Sequence, residues 1–156
     1  MSASSRFEVV PLKQIPIETL LQEDMSQPPI VLVVDDEKVI ADTLSIILSR
    51  SGFVVQTAYD AESALDLARV IPPQLLLSDV MMGPGKDGMQ LALELIQSQP
   101  DCKVILFSGH AATQELIEKQ RLLGHNFTCL AKPLHPAHLL ASICECLGYL
   151  PLPASA

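Results

Sequence analysis

Three aspartates, a serine and a lysine stand where chemistry is easiest to build. Asp35-Asp36 follow the apolar run Ile30-Val31-Leu32-Val33-Val34, and Asp79 follows Leu75-Leu76-Leu77-Ser78. Ser108-Gly109 follow Lys103-Val104-Ile105-Leu106-Phe107, and Lys132-Pro133 come just after Phe127-Thr128-Cys129-Leu130. Three carboxylates brought to one place repel one another unless a hard cation neutralises them. Mg²⁺ suits such a set, because it takes oxygen ligands and keeps several waters. A hydroxyl and an ammonium beside them complete a site for a phosphoryl group, whose oxygens the metal and Lys132 would stabilise. An aspartate can itself be the nucleophile and form an acyl phosphate.

These residues meet only if the elements before them are parallel strands. Residues 30–34 form a short β-branched run of the kind buried on both faces of a sheet. Val39, Ile40, Leu44, Ile47 and Leu48 then recur at helical spacing up to Ser51-Gly52, where glycine suits a helix C-terminus. Residues 53–57 read as a second strand. Asp60 caps a second helix with the apolar face Ala61, Ala64, Leu65 and Ala68, which Pro72 ends. A third strand at 74–78 leads through a glycine-rich loop to a helix at about 87–98. A fourth strand at 103–107 precedes a helix at about 111–122, Gly124 breaks it, and a fifth strand at 127–130 precedes a helix from about Pro136 to Leu147. Five strands alternating with five helices call for an α/β fold with a parallel sheet covered on both faces. Sites in such sheets form at the carboxyl ends of the strands.

Bulk properties narrow the function classes. The chain has 156 residues, 49% hydrophobic and 18% charged, which fits one compact domain with an aliphatic core. A net charge of −8 argues against nucleic acid and anionic membrane as direct partners. Cys102, Cys129, Cys144 and Cys146 include no C-x-x-C pair, and no apolar signal segment opens the chain, so reduced thiols and a cytoplasmic setting are expected. No apolar run approaches the roughly 18 residues that span a bilayer. Residues 1–29, with four prolines, read as an N-terminal extension, residues 30–148 as the domain and 149–156 as a C-terminal tail.

The loop Met82-Gly83-Pro84-Gly85-Lys86-Asp87-Gly88 invites a different reading, as a phosphate cradle. A Walker-type loop requires G-x-x-x-x-G-K-[ST]; the first glycine is replaced by Val80 and the final hydroxyl residue by Asp87. The cradle fails on both counts. The strand-end set instead resembles the receiver domain of two-component response regulators, over residues 30 to 148. That resemblance implies a doubly wound (βα)5 sheet in the flavodoxin-like order 2-1-3-4-5. It also implies that Asp79 accepts a phosphoryl group from a phosphohistidine on a sensor histidine kinase or phosphotransfer protein. Asp36 and Asp79 would bind Mg²⁺ directly, Asp35 through water, and the Met81 backbone carbonyl would add a ligand. Ser108 would bond a phosphate oxygen, and Lys132 would pair with the phosphate or with Asp79. A cis Lys132-Pro133 bond would fit the same pattern.

The plainer readings are helix caps for Asp35, Asp36 and Ser108, and a solvated turn for Asp79. His110, His135 and His138 lack the partners of a tetrahedral metal site, and Cys144 and Cys146, two apart on a helix, face different directions. The chain departs from the family at Cys129, where a Tyr or Phe is common. Phe127 shares its face at period two. The loop after Asp79 is one residue longer, with Gly83 inserted before Pro84. An apolar Met81 offers no group to guide water, so no unusually fast phosphate loss is expected. Few residues follow Leu147, so output is expected by contact with a downstream protein, through the face of the fourth helix, fifth strand and fifth helix, or by passing the phosphate onward, from a monomer or weak dimer. Two other readings compete. One is a receiver-like module that works without phosphorylation. The other is a phosphatase of the haloacid dehalogenase type, which would need D-x-D after the first strand.

Overall fold

A computed structural model of the chain describes residues 27–109 and 111–149. Residues 1–26 of the proposed extension, most of the proposed tail and His110 lie outside them. The described elements are β1 Ile30–Val34, α1 Lys38–Arg50, β2 Val54–Ala58, α2 Ala61–Val70, β3 Leu75–Asp79, α3 Gly88–Ser98, β4 Lys103–Ser108, α4 Ala111–Leu122, β5 Thr128–Ala131 and α5 Pro136–Leu147. The five strands form one parallel sheet in the order β2-β1-β3-β4-β5, the expected doubly wound α/β fold.

Alternate side chains of each strand enter different cores, as the two-residue strand period requires. Leu32, Val34, Leu76, Val104 and Leu106 pack with α2, α3 and Ile117 of α4. Val31, Val33, Leu75, Leu77, Ile105 and Phe107 pack with α1 and α5. With β1, β3 and β4 covered on both sides, their unbroken apolar runs are explained.

Several strand boundaries sit one residue later than the sequence pattern suggests. Phe53 lies outside β2 because its N–H closes the end of α1 on Leu48 O at 3.1 Å, while its ring packs on Tyr149 with centroids 5.5 Å apart. Gly52, at φ 99°, makes the left-handed exit from α1 that the glycine signalled. Phe127 likewise precedes β5, buried and stacked on His125 at 5.8 Å. At the other ends, β3 runs through Asp79 and β4 through Ser108, so these two residues belong to the sheet itself. Asp60 caps α2 by accepting the Ser63 N–H at 2.7 Å. Asp87 and Gln90 form a reciprocal capping box at the start of α3.

That capping box brings Gly88 against the end of β3. Its N–H donates to Val80 O at 2.9 Å, and a Cβ on Gly88 would lie 2.0 Å from the carbonyl oxygen of Asp79. The obstacle is backbone, which cannot rotate away. Gly88→Ala is therefore expected to destabilise the protein by about 2 kcal/mol, in the range of overpacked positions, as a lowered urea midpoint. An unchanged midpoint would show that α3 can slide away from β3 freely.

Candidate functional site

The ends of β1, β3, β4 and β5 bring the five expected side chains to one edge of the sheet. One carboxylate oxygen from each of Asp35, Asp36 and Asp79 lies within 4.8 Å of the others. Lys132, carried just past β5, reaches across with Nζ 2.9 Å from Asp79 Oδ2. Asp35 and Asp79 are buried, Asp36 is exposed, and Ser108 is buried at the end of β4, next along from Phe107, which pairs with Asp79. The Lys132-Pro133 bond is cis. Lys132 Nζ also stands 5.4 Å over the Phe107 ring, a contact that favours the cation.

Local backbone explains how each carboxylate is aimed. Asp35 Oδ1 accepts the Glu37 N–H at 2.9 Å, so the bond to the start of α1 exists but occupies one oxygen only. Glu37, at the N-cap of α1, makes no side-chain cap. The other oxygen of Asp35, Oδ2, is buried and has no hydrogen-bond partner. Asp79 Oδ1 accepts the Met81 N–H at 3.1 Å while Oδ2 takes Lys132, so both of its oxygens are oriented. Asp36 Oδ2 accepts the Gly83 N–H at 2.9 Å.

Charge follows from this geometry. Burial pushes the Asp35 carboxyl up to about 6; the Glu37 N–H works against the rise, the Asp79 and Asp36 charges add to it and Lys132 opposes it. For Lys132, burial works against the ammonium, but the hydrogen bond and charge of Asp79, with Asp35 and Glu37 behind, outweigh it and leave its pKa raised. An orphaned buried carboxylate oxygen, facing two more carboxylates and an all-oxygen donor set, is the environment that a small hard cation relieves. The residues present fit Mg²⁺.

The remaining candidates fall elsewhere. Lys86 binds Glu62 Oε2 at 3.0 Å and Glu94 Oε1 at 2.8 Å, so it is held away from the carboxylates. Among the described residues, the three aspartates form the one group of at least three His, Cys, Asp or Glu side chains placed to share an ion. His135 and His138 are not in it. All four cysteines are unbridged. Cys129 packs against the core that holds Phe127 and accepts a hydrogen bond from Gln114 Nε2 of α4 at 3.2 Å. Two residues at the site's margin escaped the sequence reading. Tyr59, directly after β2, donates its hydroxyl to Asp42 Oδ1 at 2.6 Å and has Lys38 over its ring at 5.0 Å. Its place just after a strand was the available signal. Gly83 acts through its backbone, for which residue type gives none.

Asp35 makes stability depend on pH in the metal-free chain. Its folded pKa is raised, so below about pH 4 the carboxyl is protonated in both states and costs nothing. As pH rises through about 6 the unfolded chain has released its proton and the folded chain must give up its own, so stability is lost. Asp35→Asn removes that loss while keeping an acceptor for the Glu37 N–H. In EDTA, urea unfolding is expected to show the variant about 2 kcal/mol more stable at about pH 7.5, with the gain vanishing near pH 4. A gain of equal size at both pH values would trace the effect to packing instead of charge.

Residues 31–144 match the family model for the response regulator receiver domain. Among solved structures, the receiver domain of NtrX from Brucella abortus is 31% identical, the match covering 76% of this chain and 98% of that one with a TM-score of 0.68. A CheY-like response regulator receiver domain protein from Methanospirillum hungatei JF-1 is 27% identical over 78% of this chain and 95% of its own, with a TM-score of 0.71. The chemotaxis protein CheY4 of Vibrio cholerae, at 24% identity, 76% and 98% coverage and a TM-score of 0.67, shares the fold. Receiver domains are signalling domains that generally bind Mg²⁺ at an acidic pocket, and an aspartate cluster stands at the matching edge of this sheet. On a family match that spans most of its length, the chain belongs to the response regulator receiver domain family.

Proposed function

We propose that this protein is a phosphoryl-accepting switch: Asp79 takes a phosphoryl group from a phosphohistidine on a sensor histidine kinase or phosphotransfer protein, and the modified domain signals through protein contact. The observation that carries this reading is Asp79 itself, buried at a strand end, held by Lys132 at 2.9 Å and grouped with two further carboxylates. A carboxylate oriented at a strand end beside an ammonium is a competent nucleophile. Its oxygen bonds to phosphorus as the P–N bond breaks, and the imidazole nitrogen leaves with the electron pair.

Asp36 and Asp79, with Asp35 through water and the Met81 carbonyl, would hold Mg²⁺. Bound there, the ion would neutralise charge on the transferring phosphoryl oxygens. Lys132, now on Asp79 Oδ2, would turn from the carboxylate to the new phosphate. Ser108, buried next to Asp79 along the sheet edge, would bring its hydroxyl to a phosphate oxygen. The donor needs an approach, and an apolar cleft of about 610 Å³ opens beside Lys132 between α1 and the start of α5. Val39, Ile40, Ile47, Leu134 and Pro136 line it, which suits the apolar face of a partner helix.

A second reading, a receiver-like module that signals without phosphorylation, draws on Cys129. The thiol and its bond to Gln114 stand where the family commonly has a ring. Intact mass after incubation with acetyl phosphate and Mg²⁺ decides between the two. One added phosphoryl group, about 80 Da, is expected on the native chain and not on Asp79→Asn. A native chain that binds Mg²⁺ yet gains no mass would sink the switch and favour the module.

A further inference from the structure

The loop between β3 and α3 spans residues 80–87. Within it, the Gly83 N–H donates to Asp36 Oδ2 at 2.9 Å, across 47 positions in sequence. Asp36 is exposed, and among the hydrogen bonds resolved to its carboxylate this one alone comes from another element. Three residues further on, Lys86 reaches Glu62 of α2 and Glu94 of α3 at once, at 3.0 and 2.8 Å. The loop is therefore fastened at both ends: at Gly83 to a carboxylate of the site, at Lys86 to two helices. Between the fastenings, a cavity of about 590 Å³ is lined by Asp36, Tyr59, Met82, Pro84 and Lys86.

We propose that Gly83 is a positioning residue for the metal ligand Asp36, with Lys86 bracing the loop that carries it. This rests on the reading of the carboxylate cluster as a Mg²⁺ site. An exposed aspartate side chain swings between rotamers, and a ligand that must be caught before it can bind weakens the site. The Gly83 N–H takes one oxygen, Oδ2, and so restrains a side chain that supplies one oxygen to the cluster. This is the outer-shell role that fixes a ligand's orientation without touching the ion. The bond comes from backbone, so its position depends on loop length and on the brace, not on the identity of a side chain. A Cβ at residue 83 would meet Asp36 Oδ2 at 3.4 Å, ordinary contact, so alanine is tolerated there.

The test uses the full chain and reads Mg²⁺ affinity by calorimetry, beside the melting temperature in EDTA. Gly83→Pro removes the N–H; Gly83→Ala retains it. The proline variant is expected to bind Mg²⁺ about tenfold more weakly, the low end for loss of an outer-shell partner, with its metal-free melting temperature unchanged. The alanine variant should bind as the native chain does. Lys86→Met should weaken Mg²⁺ binding in the same direction by a smaller factor. Equal affinity in the native and Gly83→Pro chains overturns the positioning role while leaving the Mg²⁺ site intact. Equal weakening in the proline and alanine variants also overturns it, because the alanine keeps the N–H. A native chain that takes up no Mg²⁺ overturns this role together with the reading beneath it.

Discussion

Like charge forced together at the edge of a parallel sheet is the constraint on which the rest of this structure turns. Asp35 and Asp79 have almost no contact with solvent, yet they lie within a few ångströms of each other and of Asp36. In that setting each carboxylate raises the cost of its neighbour's charge. Lys132 answers half the problem by pairing with Asp79. The other half stays with Asp35, whose Oδ2 has no partner and whose proton is held to about pH 6. A stable core does not need this arrangement; replacing such groups with apolar ones commonly stabilises a protein. A cluster of this kind at one sheet edge is what the proposed Mg²⁺ site would use.

The sheet supplies the rigidity that such a cluster demands. β3 is buried along its whole length and paired on both sides, so Asp79 cannot retreat from Asp35. Gly88 packs against the Asp79 carbonyl from α3, and Val80 N–H is tied to Phe107 O at 3.0 Å. The Asp79 carboxylate is thus fixed through its own backbone, while Lys132 and Asp36 follow the ends of β5 and β1. A fixed carboxylate suits the proposed role of Asp79 as the group that receives the phosphoryl.

How much of this could be read from the chain follows from the kind of information each part uses. Asp35, Asp36, Asp79, Ser108 and Lys132 were legible because residue type and strand-end position coincide, and a parallel sheet brings strand ends together whatever the loops do. Strand limits slipped by one residue at Phe53 and Phe127, where an aromatic side chain enters the core from just outside the ladder. Periodicity records burial, and burial does not distinguish a residue in the ladder from one packed beside it. Gly83 and Lys86 were not legible in their actual roles. Their contacts depend on the path of a loop, and the lysine beside a glycine pointed instead toward a phosphate cradle that does not exist.

The same reasoning bears on α4. Of its described side chains, Ile117 alone is buried, and the helix adds one polar tie to the sheet, from Gln114 to the Cys129 sulfur. Sulfur is a weak acceptor. Register places Leu106 beside Cys129 and Ser108 beside Ala131, so Ser108 and Cys129 stand on the sheet face beneath α4, one diagonal step apart. A displacement of Ser108 toward a phosphate would reach α4 through that step. Cys129 is smaller than an aromatic ring, so on the proposed reading a shift of Ser108 would be passed to α4 through the thiol and its bond to Gln114.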